Sequence, residues 1–139
     1  LDLAETGTSK SRKELARLLD DGTARAKFDE LVAAQGGSPA DLENLTTIHT
    51  APLIQEVPAP DTGTITTVDA GLIGQAALQL GAGRARATDP VDFSVGFDQL
   101  VKCGESVHQG NPLCRIHART RVDFEMAEAL IDQAIVIEP

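Results

Sequence analysis

The 139-residue chain has no tryptophan and no tyrosine, and aromatic residues make up only 3% of it. Its four rings are Phe28, Phe93, Phe97 and Phe124. A core of stacked rings is therefore excluded. The interior must be aliphatic, and stability per residue modest, because large rings supply the largest single burial contributions. Cysteine is nearly absent. Cys103 and Cys114 are too few for a disulfide scaffold and are expected as free, partly buried thiols in a reducing compartment. Positive charge is short as well, with 12 Lys and Arg against 21 Asp and Glu and a formal net charge of -9. Such a surface repels phosphate backbones and anionic membranes, which argues against nucleic-acid binding and membrane association. Arg84, Arg86, Arg115, Arg119 and Arg121 are the candidates for a local basic patch. A small phosphorylated ligand stays compatible with this balance, since one site needs only a few donors. No apolar run approaches the roughly 18 residues of a spanning helix, and no leader pattern opens the chain. A cytoplasmic location is expected. The first residue is Leu1 rather than Met, which fits a trimmed or fragmentary chain.

What is present divides into two parts, 1–48 and 49–139. Ser11-Arg12-Lys13-Glu14 has capping-box spacing, followed by Leu15, Leu18 and Leu19 at helical offsets. A second helix fits Thr23 to Gln35, with Ala24, Phe28, Leu31 and Val32 on one face and Gly36-Gly37 as its left-handed stop. Ser38-Pro39-Ala40-Asp41 then reads as a cap and a short helical turn. This helical layer has nothing large to pack against within itself, and docking on material that precedes it is expected.

From Pro52 the pattern changes. Leu53 to Val57 and Gly63 to Val68 read as two short strands around a turn at Pro60-Asp61-Thr62-Gly63. Asp69 caps a helix through Leu72, Ile73, Ala76, Ala77 and Leu80 that ends at Gly81. Alternation at Val91, Phe93, Val95 and Phe97 predicts a half-buried strand. Pro112 to Ala118 reads as a further strand. Asp123 to Gln133 is a last amphipathic helix, followed by a closing strand at Ile135-Val136-Ile137. The class is α+β: an N-terminal helical layer, then a small, mostly antiparallel sheet with packed helices.

The turn-rich run from Val101 to Leu113 needs positive φ at Gly104 and Gly110 and points Val101, Val107 and Leu113 inward. Its spacing is similar to the half-barrel of biotinyl and lipoyl carrier domains. Those domains present an acceptor lysine at a hairpin tip, where this chain has Ala118-Arg119-Thr120. The carrier reading fails on that chemistry, and the half-barrel architecture survives. Metal binding is also disfavoured. Cys114 and His117 stand at an odd offset in a strand, which separates their faces, and His108 has no partner pair at zinc spacing. His49 and His117 read as structural, and no nucleophile with its base stands out. The Gly81-Ala82-Gly83-Arg84 turn follows a helix C-terminus and lacks phosphate-loop spacing, so its chemistry alone is that of a helix-terminating loop.

The segment Leu80 to Ala118 reads LGAGRARATDPVDFSVGFDQLVKCGESVHQGNPLCRIHA. It resembles the C-terminal domain of thymidine and pyrimidine-nucleoside phosphorylases. A second match lies upstream in Lys27-Phe28 and Val32-Ala33-Ala34-Gln35-Gly36-Gly37, in the same order as in that family. The resemblance implies a hammerhead-like C-terminal domain within a larger enzyme. That enzyme displaces a pyrimidine base from a nucleoside with inorganic phosphate, uses no organic cofactor and dimerises through a helical domain. The family's phosphate- and base-binding motifs are absent from this chain, so no catalytic residue carries over. The loop from Gly81 to about Pro90, with Gly83, Arg84 and Arg86, corresponds to a mobile segment implicated in cleft closure. Val91 to Phe97 looks more like the thymidine-type branch. The rival expectation is a stand-alone binding or assembly module with the same fold and no chemistry.

Overall fold

The computed structural model describes residues 6–7, 10–84 and 86–139. The chain divides into two compact units, Leu1–Thr46 and Thr47–Pro139.

In the first unit, α1 (Arg12–Asp20) starts at the expected capping box. The Ser11 hydroxyl accepts from the Glu14 N–H, and the Glu14 carboxylate accepts from the Ser11 N–H at 2.9 Å. Two of the four donors a helix start leaves open are thereby satisfied. α2 (Thr23–Ala34) stops at Gln35, with Gly36 at φ 82° beyond it. Short turns α3 (Pro39–Leu42) and α4 (Leu45–Ile48) follow, the latter running across the boundary between the units. No described side chain of this unit is buried; Leu19, Phe28 and Leu31 are exposed.

The second unit carries the core. Its strands are β1 (Leu53–Pro58), β2 (Gly63–Val68), β3 (Gly96–Asp98), β4 (Ser106–Val107), β5 (Pro112–Ala118) and β6 (Ile135–Glu138). They form two antiparallel three-stranded sheets, ordered β1-β5-β3 and β4-β2-β6. Both sheets are open, and no closed barrel forms among the described residues. Helices α5 (Ala70–Leu80) and α6 (Arg121–Ala134) pack with them. Asp69 caps α5 by accepting from the Gly71 and Leu72 N–H groups. Thr120 and Asp123 form a second capping box at α6. Phe124, Ala127, Ile131 and Ala134 line the buried face of α6 at helical spacing, against Ile65, Val57 and Ile116. The class is α+β, as the patterning requires. No described helix is long and apolar enough to cross a membrane.

Three local expectations change. The strands β1 and β2 do not pair with each other; β1 joins β5, and β2 joins β4 and β6. The connection between them is taken up by the 108–111 turn. There the Ala59 N–H donates to the Asn111 carbonyl at 2.7 Å and the Gly110 N–H to the Ala59 carbonyl at 2.9 Å. The strand expected from Val91 shortens to Gly96–Asp98, and Phe93 is 74% exposed. The cause is local: the Asp92 carboxylate accepts from the Ser94 N–H and hydroxyl at 2.9 and 2.6 Å, turning the chain where alternation asks for extension. Cys103, expected partly buried, is exposed, whereas Cys114 is buried. Val101, Val107 and Leu113 do point inward, with Gly104 and Gly110 at φ 89° and 85°.

Gly63 has a steric reason to be glycine. A Cβ there would stand 2.2 Å from the Glu138 carbonyl oxygen on β6, closer than any side chain allows.

Candidate functional site

The Gly81–Pro90 loop begins at the C-terminus of α5. Gly81 adopts φ 99°, its N–H donates to the Leu78 carbonyl, and the Ala82 N–H reaches back to the Ala77 carbonyl at 3.0 Å. That pair of bonds ends the helix in the Schellman manner, for which a left-handed glycine is suited. The loop therefore leaves the carbonyl end of the helix, which does not favour an anion. Gly83 is half-buried against Leu78, and Arg84 and Arg86 are exposed. Neither arginine has an ion pair among the described residues. The Arg84 guanidinium donates at 3.5 Å to the Ala87 carbonyl, and the Arg86 N–H donates to the Asp89 carboxylate at 2.7 Å.

The return limb is held more firmly. The Asp92 N–H donates to the Gly81 carbonyl at 2.9 Å, and the Arg119 Nε donates to the Asp92 Oδ2 at 2.5 Å. Arg119, followed by the two Ser94 donors, holds the Asp92 carboxyl well below the usual carboxylate range. Beside this pair lies a hollow of about 510 Å³ lined by His49, Gly81, Pro90, Asp92, Phe93 and Arg119. A smaller one of about 230 Å³ shares His49 and Phe93 and reaches Asp98 and His117. The His49 and Phe93 rings are tilted with centroids 5.6 Å apart.

On β5, alternation separates the two residues weighed as metal ligands. Cys114 faces the core with Ile116 and Ala118, while His117 and Arg115 are only half-buried. Burial pushes the Cys114 thiol up to about 12, with the Asp98, Asp132 and Glu128 charges adding to it, so it is a structural side chain rather than a nucleophile. Arg115 grips both Asp98 oxygens, at 2.8 and 2.5 Å, and is the first cause of that carboxyl's lowered pKa. The His117 Nε2 lies 3.3 Å from Asp98 Oδ2, an ion-pair distance, yet without hydrogen-bond geometry to any described group. His108 is exposed, its N–H donating to the Asn111 side chain. The second unit thus gathers Asp92, Arg119, Asp98, Arg115 and His117 near the loop, which patterning did not single out as a group. The Asp92-Phe93-Ser94 spacing was the one local signal, since Asp followed two residues later by Ser is a turn former.

A family model described as the pyrimidine nucleoside phosphorylase C-terminal domain matches residues 64–138, which contain the loop, α5, α6, β3 to β6 and all of β2 but Gly63. The chain belongs to the pyrimidine nucleoside phosphorylase family, of which it is a C-terminal segment. Its relatives bear a narrower name. A thymidine phosphorylase of Burkholderia cenocepacia (strain HI2424) is 42% identical over 111 residues, covering 78% of this chain and 25% of the relative. Another thymidine phosphorylase, of Burkholderia orbicola (strain MC0-3), is 41% identical over 129 residues, covering 91% of this chain and 29% of its own length. The chain therefore spans between a quarter and a third of the relatives it matches.

Proposed function

We propose that this chain is the C-terminal portion of a thymidine phosphorylase. The complete enzyme would transfer the deoxyribosyl group of thymidine to inorganic phosphate, giving thymine and 2-deoxyribose 1-phosphate. The observation that carries the reading is the identity of about two residues in five to proteins of that name, sustained over nearly the whole chain. Phosphate is the co-substrate, and no organic cofactor is required. Such a reaction needs cationic and hydroxyl groups around phosphate and donors to the departing base, held in fixed geometry. Those groups belong to the upstream part of the enzyme, and this segment braces the cleft wall. Gly81, Gly83, Arg84 and Arg86 belong to the loop that closes the cleft, and the two exposed arginines, which form no ion pair among the described residues, favour that role. The complete protein is a cytoplasmic homodimer, and this chain alone is inactive.

One observation favours the second reading, a non-catalytic binding or assembly module: the unit Thr47–Pro139 encloses a core of its own. Mixing the chain with its upstream polypeptide decides between them. Phosphate-dependent thymine release from the mixture, and from neither piece alone, is expected. Two folded, associated and inactive pieces would overturn the enzymatic reading, and equal cleavage of uridine would overturn the thymidine assignment.

A further inference from the structure

We propose that Asp92 is the positioning residue of the Gly81–Pro90 loop, tying both of its ends into one neck through Gly81, Ser94 and Arg119. The proposal rests on the reading of that loop as the one that closes the cleft, and it adds the residues that aim it. The Asp92 N–H closes the loop on itself by donating to the Gly81 carbonyl. Its carboxylate then uses both oxygens, Oδ1 for the Ser94 N–H and hydroxyl and Oδ2 for Arg119. Each contact ties the neck to a different fixed element. Gly81 is the end of α5, Ser94 leads through buried Val95 into β3, and Arg119 sits between fully buried Ala118 of β5 and the Thr120 capping box of α6.

Beyond the neck the described contacts are local. Arg86 and Asp89 form one turn, and Arg84 reaches Ala87. A loop tied this way takes its direction from the neck. Asparagine cannot reproduce the neck, because its amide has one accepting oxygen and would turn a donor toward either Arg119 or Ser94. A cation at position 119 is needed, and its packing is not, since the Arg119 side chain is 56% exposed.

The test uses Asp92→Asn, Arg119→Ala and Arg119→Lys, first in this chain and then in the mixture with the upstream polypeptide. Trypsin cleaves after Arg84 and Arg86 and so reports the loop directly. Cleavage there should be about fivefold faster in Asp92→Asn and Arg119→Ala than in wild type, at unchanged helix content, with Arg119→Lys close to wild type. In the mixture the first two should lower kcat for thymine release about tenfold while KM for thymidine stays within about twofold. Cleavage and kcat that do not differ among the four proteins would overturn the neck. Should Asp92→Asn unfold, the Arg119 pair alone decides. A wild-type mixture that releases no thymine while the cleavage differences hold would sink the phosphorylase reading and leave the neck standing.

Discussion

The two units of this chain are built from similar proportions of apolar residues and reach opposite ends of the burial scale. In Leu1–Thr46 the helices are capped well and stabilised locally. They have a capping box at Ser11 and exposed ion pairs such as Arg17–Asp21, Arg25–Asp29 and Lys27–Glu30, with no described side chain buried. In Thr47–Pro139, Phe124, Ile65, Ile116, Ile131 and Val57 are wholly enclosed. Local signals are as good in the first unit as in the second. The difference is apolar area removed from water, which dominates folding stability, whereas exposed pairs contribute little.

The sharpest way to break the comparison is to remove one ring from each unit. Phe124→Ala should cost about 3–5 kcal/mol, enough to unfold the second unit or nearly so. Phe28→Ala, at a position 49% exposed, should cost under about 1 kcal/mol. Urea titrations followed by far-UV circular dichroism measure both, since the chain has no tryptophan to report by fluorescence. Comparable losses would mean that the first unit buries Phe28 after all. Next in size is Gly63→Ala, where the new methyl meets the Glu138 carbonyl. About 2 kcal/mol and a detached β6 are expected, read as faster amide exchange at Ile137.

Removing caps gives a finer contrast. Thr120→Ala should cost about 1 kcal/mol and lower the cooperative midpoint, because its helix belongs to the core. Ser11→Ala, a loss of similar size, should reduce helix content at the start of α1 without moving that midpoint. The smallest effect is in pH. The Asp92 carboxyl is depressed, so its stabilisation is full above the unfolded value near 4 and is lost as pH falls through the lower folded value. Below about pH 4, wild type should therefore lose more Tm than Asp92→Asn does. Parallel acid profiles would mean that the Arg119 pair adds nothing to stability.

Much of this fold was legible because much of it is local. Ser11 and Asp69 start helices by bonding within three residues of themselves, and Gly81 ends one by a backbone conformation few other residues adopt. The last helix, expected from Asp123, starts two residues earlier at Arg121, because the Thr120 cap uses Asp123 as its third position. The strand Pro112–Ala118 was readable to the residue, since it lies between the Gly110 turn and the Thr120 cap, although its burial alternates only from Cys114 onward. Phe93 misled because a side chain one position away, Asp92, captured the backbone that periodicity assigned to a ladder. The family was legible in the Leu80–Ala118 stretch, which lies within the matched residues 64–138.

What the sequence determined by itself, then, was the longer helices to within two residues of their ends, most of the apolar periodicities, the acidic balance and the family. Each depends on residues near one another in the chain or on a linear string. The tertiary structure alone decided which sheet each strand joins and that Asp92 meets Arg119, 27 positions away. It also decided that His117 faces Asp98 across two strands. Such pairings cost loop-closure entropy before they gain anything, and only the shared burial of the second unit offsets that cost.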